Sequence, residues 1–344
     1  MNDVMRREIA AQAGILADCL EPLSARIGGI ARPEGWIMAG GCGDSAFAPA
    51  ALKGFFDAIG IQLEATTSMQ LAGFTRYIAG DAIVLSSISG NTRRTVEAAH
   101  VARASGAHVV AVTCGKTSAL AKEADDVVVL PFTPISRVTP HTLDYLVTVE
   151  ALAVMGLHWI GEGTDPLIEL FALMPRWSEA ARDFAEDAVS AMDPAGKIFL
   201  LGGGPDLATA GYGAAKFHEA GGIPAIAAET ENFIHGMNFM AEPPDSLFAI
   251  ATAPLSIRRG AEVAANFRSF LTSTALIEPE PLDRGPFEPG GWQSALAALL
   301  STTLKVQHLC LAYADRFGLD VTAPRAGRDF GAQHAEIQAR IMAM

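Results

Sequence analysis

The chain has 344 residues, 50% of them hydrophobic and 18% charged, which suits about two packed domains and excludes wholesale disorder. Its net charge is −13, and its basic residues are scattered singly or in pairs such as Arg6-Arg7, Arg93-Arg94 and Arg258-Arg259. A basic groove for nucleic acid is therefore excluded as a reading, and an anionic metabolite would have to be held by hydroxyls, backbone N–H groups and helix N-termini. Cys19, Cys42, Cys114 and Cys310 are far apart and show no CxxC pairing, so the expected setting is a reducing cytoplasm. Cys42 reads as a small buried residue rather than a nucleophile. The N-terminal twenty residues mix charge into an apolar pattern, as an amphipathic helix does and a signal peptide does not. No uncharged apolar run of about eighteen residues is expected to span a bilayer.

Apolar residues recur at helical spacing from Val4 to Ile30, and Gly28-Gly29 and Pro33 end the pattern. Trp36 to Ala39 is a short apolar run that enters the loop Gly40-Gly41-Cys42-Gly43-Asp44-Ser45, and Ala46 to Ile59 reads as the helix after it. The same sequence of strand, loop and helix recurs at Asp81 to Ser86, Ser87 to Thr92, and onward to Ser105. His108 to Thr113 and Val127 to Leu130 are further strands, the second closed by Pro131. Short, wholly apolar strands alternating with helices predict an α/β fold with a parallel sheet buried on both faces.

His141 to Met192 is helical apart from the turn at Gly161 to Pro166, and the expected boundary lies there. Lys197 to Leu201, the turn Gly202 to Asp206 and a helix to Ala220 then echo the first half. Leu247 to Ala251 and Ala275 to Ile277 continue a second sheet, a helix spans Trp292 to Phe317, and a polar tail begins at Pro324. The expected division is an N-terminal helix over 1–35, domains over 36–160 and 161–323, and a tail over 324–344.

Ser87, Ser89 and Thr92 place three hydroxyls within six residues where a buried strand turns into a helix. Ligands sit at that edge of an open α/β sheet, and Gly90 lets backbone approach an anion closely. The same hydroxyls, with Asn91, also suit helix capping, and spacing alone leaves both readings open. No Gly-Lys-Ser/Thr follows, so this is not a Walker loop. Ser45, at the end of the other glycine loop, is placed to reach the same pocket. In the second half, Lys216 and Glu219 share one helix face, and His235-Gly236 follows sixteen residues after Glu219. Taken alone, these residues suit an exposed ion pair and a turn.

The run SISGNTRRT, followed by GAHVVAVT and SALAKEADDVVVL, resembles the sugar isomerase (SIS) domain, and Trp36 to Pro324 resembles two of them in tandem. The similarity is to the isomerase half of glucosamine-6-phosphate synthase and related phosphosugar isomerases and deaminases. It implies two doubly wound, flavodoxin-like parallel sheets and a sugar phosphate held by Ser45, Ser87, Ser89 and Thr92. It further implies Glu219 as the base that moves a proton between C1 and C2, His235 as the ring-opening acid/base, and Lys216 as a charge partner. Gly43, Asp44, Asn91, Val138, Arg325 and Arg328 are the remaining expected pocket residues. The implied reaction is aldose–ketose isomerisation, or amino-sugar-phosphate deamination, of a hexose 6-phosphate through an enediol-type intermediate. The alternative is a sensor that binds the phosphosugar without converting it.

No cofactor or metal is expected, since enediol chemistry needs only an acid/base pair and His100, His108 and His158 are dispersed. The expected partners are a small sugar phosphate and a second copy of the chain, in a homodimer whose histidine enters the neighbouring site, with no nucleic acid and no membrane. The second half reads Ala249-Ile250-Ala251-Thr252-Ala253-Pro254 where a counterpart of SISGNT would stand, so one phosphate site per chain is expected. Against the synthase pattern, no amidotransferase region precedes the first half, so nitrogen chemistry is expected to use free ammonia or to run towards deamination. The tail Pro324 to Asp329 offers arginines instead of a lysine, which disfavours an imine there. Val138 to Thr142, Asp44 in place of a threonine, and Asn232 in place of a glutamate also depart from that pattern.

Overall fold

The computed structural model describes residues 2–138, 140–282, 290–325 and 329–343. Helix α1 (Asp3–Ile27) precedes strand β1 (Ile37–Gly41), α2 (Asp44–Ala51), α3 (Lys53–Ala58), β2 (Leu63–Thr67), α4 (Ser68–Gly73) and β3 (Ala82–Ser86). Then come α5 (Arg93–Ala104), β4 (His108–Thr113), α6 (Ala119–Glu123), β5 (Asp126–Val129) and the long helices α7 (Leu143–Ile160) and α8 (Asp165–Ser190). The second half holds β6 (Ile198–Gly202), α9 (Pro205–Gly221), β7 (Ala225–Glu229), α10 (Thr230–Ile234), β8 (Ser246–Ile250), α11 (Pro254–Phe267) and β9 (Ser273–Ile277). It ends with α12 (Trp292–Arg316) and α13 (Gly331–Ala343).

Every strand pairing is parallel. The first sheet runs β2-β1-β3-β4-β5 and the second β7-β6-β8-β9. The first is the flavodoxin-like order, in which the chain winds one way from β1 and the other way from β3, leaving a crevice between their carboxyl ends. β1, β3, β6 and β8 are buried along their whole length, which explains their lack of polar alternation. β2 and β7 escape the sequence pattern because each is a half-buried sheet edge with small or polar residues, LEATT and AIAAE. The helix expected over Ala46 to Ile59 is two helices with a break at Leu52.

Helices α7 and α12 are long and apolar enough to cross a membrane by length and composition, yet 89% and 78% of their apolar windows are buried within the chain. That is how core helices behave. They join α1, α8 and α9 in one hydrophobic core that also takes in residues of both sheets, Val84 and Leu200 among them.

The halves meet through α2 and α9. A Cβ at Gly211 would fall 2.6 Å from the Phe47 ring, so glycine lets the two helices approach closely. Tyr145 and Tyr212 stack beside this crossing with ring centroids 4.0 Å apart.

Candidate active site

The first group of expected site residues gathers at the β1–β3 crevice. Gly43 adopts φ 58° and ψ −128° ahead of α2, a conformation that favours glycine. Ser45, in the first turn of α2, is buried. A Cβ at Gly41 would meet Ser45 Cβ and lie 2.7 Å from the Ser86 carbonyl oxygen, so the Gly41 backbone is what seats Ser45 against the end of β3.

Across the crevice, the Ser87 and Thr92 hydroxyls lie 3.0 Å apart, and Ser87 Oγ accepts from the Gly90 N–H at 3.2 Å. Gly90 has φ 66°, and a Cβ there would lie 2.5 Å from Ser118 Cβ and 2.7 Å from Thr113 Oγ1. Ser89 is exposed, and its Oγ accepts from the Asn91 N–H at 3.2 Å. Asn91 serves the loop itself: its Oδ1 accepts from Ala119 N–H at 3.1 Å and its Nδ2 donates to the Ser89 carbonyl at 3.1 Å. Thr92 is the N-cap residue of α5 and makes no side-chain cap bond, so its hydroxyl is left to Ser87 and the crevice.

Cys42 differs from expectation. It is exposed, because it sits on the loop between Gly41 and Gly43 and not on the strand, and its Sγ lies 3.7 Å from Thr95 Oγ1. All four cysteines are free thiols.

The second group centres on Lys216, which is fully buried. Its Nζ lies 2.7 Å from Asp44 Oδ2 and 2.5 Å from Glu219 Oε2, donates to the His141 carbonyl at 3.3 Å, and stands 5.1 Å from the centroid of the Tyr212 ring. Burial works against the Lys216 charge, but Asp44 and Glu219 more than offset it and its pKa is raised. Burial pushes Glu219 up to about 7; Lys216 pulls it back and Asp44 adds to the rise. A carboxyl poised there, partly open to solvent, can take up and return a proton at neutral pH.

Behind this pair lies a buried polar layer that gives no sequence signal. Glu8 of α1 accepts from Thr142 N–H at 2.9 Å and Thr142 Oγ1 at 3.1 Å. Asp144 Oδ2 lies 3.6 Å from His141 Nδ1. Burial, reinforced by Glu8, pushes Asp144 up to about 7, and burial lowers His141. Asp44 was expected in the pocket, but its pairing with Lys216 was legible only once α2 and α9 were seen to cross.

His235 is not brought to Glu219 within the described residues of one chain. It caps the end of α10, exposed, with its N–H donating to the Glu231 carbonyl at 2.9 Å. Val138 is 40% exposed and lies just ahead of His141. Arg325 has φ 74° and a buried Nε without a hydrogen-bond partner. Arg328 lies outside the described residues. Among the described residues, no three His, Cys, Asp or Glu side chains converge to hold a metal ion.

Residues 37–155 match the family model of the SIS domain. The first half of the chain contains a SIS domain. The two helix-flanked parallel sheets fit two SIS domains in tandem. Along the sequence, the chain is 26% identical over 345 residues to the glutamine–fructose-6-phosphate aminotransferase [isomerizing] of Aeropyrum pernix, covering 93% of this chain. It spans 56% of the length of that relative.

Among solved structures, the glucosamine-6-phosphate deaminase of Thermotoga maritima superposes with a TM-score of 0.74 at 18% identity, covering 93% of this chain and 97% of that one. The tagatose-6-phosphate ketose/aldose isomerase of Escherichia coli gives 0.77 at 18% identity, with 92% and 94% covered. The C-terminal domain of glucosamine-fructose-6-phosphate aminotransferase from Francisella tularensis gives 0.67 at 15% identity, with 93% and 98% covered. These likenesses establish the fold.

Proposed function

We propose that this chain is a phosphosugar isomerase that moves a proton between C1 and C2 of a hexose 6-phosphate, by aldose–ketose isomerisation or by deamination of the amino sugar. The observation that carries the reading is Glu219: a carboxyl raised to about 7 beside the buried Lys216 ammonium. In this reading Ser45, Ser87, Ser89 and Thr92 hold the phosphate at the β1–β3 crevice. Glu219 takes the proton from one carbon and returns it to its neighbour, and the Lys216 charge stabilises the enediolate between the two transfers. His235, exposed on its own chain, serves ring opening in the site of a second copy. The Thermotoga deaminase and the Escherichia isomerase, by their names, act on phosphosugars, which supports the substrate class.

The test is proton exchange in deuterated buffer, followed by NMR with fructose 6-phosphate, glucosamine 6-phosphate and tagatose 6-phosphate. Deuterium entering at C1 or C2 is expected, and the product tells isomerase from deaminase. Glu219→Gln should abolish that exchange, with a loss of roughly 10²–10⁴-fold, while phosphosugar binding persists. Binding of every sugar with no exchange in the unmodified protein would instead establish the sensor reading.

A further inference from the structure

The two halves share one backbone conformation at their first glycine turns. Gly43 follows β1 and Gly204 follows β6, and both have φ 58° and ψ −128°. Ile37 and Ile198 open the two strands, and the same offset of 161 residues carries Ser45 onto Asp206. A carboxylate therefore stands in the second half where the first half places a hydroxyl.

Opposite Asp206, the connection after β8 is only Ala251-Thr252-Ala253 before α11 begins, against Ser87 to Thr92 between β3 and α5. Into the space left by this shorter loop, Asp206 inserts its side chain. Its Oδ2 accepts from Thr252 N–H at 3.0 Å and Ser256 Oγ at 3.1 Å, and its Oδ1 accepts from Thr252 Oγ1 at 2.6 Å. Burial raises the Asp206 pKa, and the hydrogen bonds from Thr252 and Ser256 to its two oxygens work against that rise and favour the carboxylate. The residue is 3% exposed and lies against the first turn of the 14-residue helix α11, the end of a helix that favours negative charge.

We infer that Asp206 is a built-in anion: its carboxylate occupies, in the second half, the place that a phosphate group would take at the strand–helix turn, and so closes that edge to phosphosugars. The donors are those a phosphate would use, namely a backbone N–H and two hydroxyls at a helix N-terminus. A cavity of about 490 Å³ lined by Asp206, Thr209, Thr252 and Ser294 adjoins this edge. An ion can therefore reach the turn once the carboxylate is removed.

The test is thermal melting of the full chain in inorganic phosphate against chloride at matched ionic strength and pH. Asp206→Ser, which restores the residue type found at Ser45, should melt roughly 3–6 °C lower in chloride. Phosphate should then return most of that loss, an increment larger than the unmodified chain gains from its own first-half loop. Adding Ser256→Ala to Asp206→Ser should shrink the increment. Equal phosphate increments for the variant and the unmodified chain would overturn the inference. Asp206→Asn, which keeps the shape and fills the turn, is the second arm. It should melt lower than the unmodified chain with no extra phosphate increment, and an unchanged melting temperature would show that charge at this turn is immaterial. Neither arm depends on turnover.

Discussion

Lys216 and Asp44 lie 172 positions apart in the chain and meet at 2.7 Å, Nζ to Oδ2. Asp44 begins the helix that follows the first glycine loop, and Lys216 lies on the helix that follows the second. Their contact thus ties the glycine loop of one half to Glu219 of the other, because Lys216 also pairs with Glu219. The ammonium is fully buried while Asp44 and Glu219 keep partial access to solvent. The charge is fixed and its partners remain open to solvent.

Removing Asp44 should therefore cost more than one surface ion pair. Asp44→Ala leaves Lys216 with one carboxylate instead of two, and a destabilisation of roughly 2 kcal/mol is expected, between an exposed pair and a fully orphaned buried charge. Glu219 should also titrate lower, since Asp44 contributes to its rise. The acid limb of the kcat/KM profile would then move below its expected position near pH 7. Chemical denaturation and a pH–rate profile check the two effects separately. An unmoved limb would mean that Glu219 does not set it.

Stability should fall as pH rises through neutrality. Glu219 and Asp144 have folded pKa values raised to about 7 from ordinary values of 4.5 and 3.8. The folded chain therefore holds protons that the unfolded chain has already released. Their contribution is full below about pH 4 and is lost as pH climbs through about 7. Melting temperature should decline between pH 5 and pH 8, and Asp144→Asn should flatten the decline. Parallel curves for the variant and the unmodified chain would remove Asp144 from this behaviour.

Strands such as Ala82–Ser86 and His108–Thr113 were legible because a buried parallel strand is a continuous apolar run. The turn from β3 into α5 was legible because its glycine and hydroxyl residues are adjacent in sequence. The strands at Leu63 and Ala225 were not, since an edge strand owes its place to its neighbour's backbone and only weakly to its own side chains. The same limit applies to Glu8 and Asp206. Their partners Thr142 and Thr252 come from distant segments, and no local spacing announces such bonds.

The proposed phosphate role of the Ser87–Thr92 loop can be tested apart from folding. Ser89 is exposed and Thr92 makes no cap bond, so Ser89→Ala with Thr92→Ala loses only the Ser89–Asn91 and Thr92–Ser87 hydrogen bonds and should cost no more than roughly 1–2 kcal/mol. The same pair should raise KM roughly 10–100-fold through lost phosphate contacts, with kcat far less affected. Gly90→Ala should do the opposite first. It places a Cβ on Ser118 at φ 66° and should destabilise the chain by roughly 2–3 kcal/mol. An unchanged KM in the double variant would place the phosphate elsewhere.

Glu150 of α7 offers a test of the helical core that does not touch the site. It is 3% exposed, neither carboxyl oxygen has a hydrogen-bond partner among the described residues, and Leu16, Leu146, Leu167 and Leu300 surround it. Burial raises its pKa well above the ordinary carboxyl range, so the folded state keeps a proton on it and loses stability as pH rises. A carboxyl in such a pocket sacrifices its hydration without recovering hydrogen bonds. Glu150→Met, similar in length and apolar, should stabilise the chain by roughly 1–3 kcal/mol and leave turnover unchanged. Denaturant unfolding of the two proteins at pH 7 measures the difference. A loss of stability would mean that the carboxyl is satisfied in solution, by an enclosed water or a shift of α1, and that its burial is not a cost.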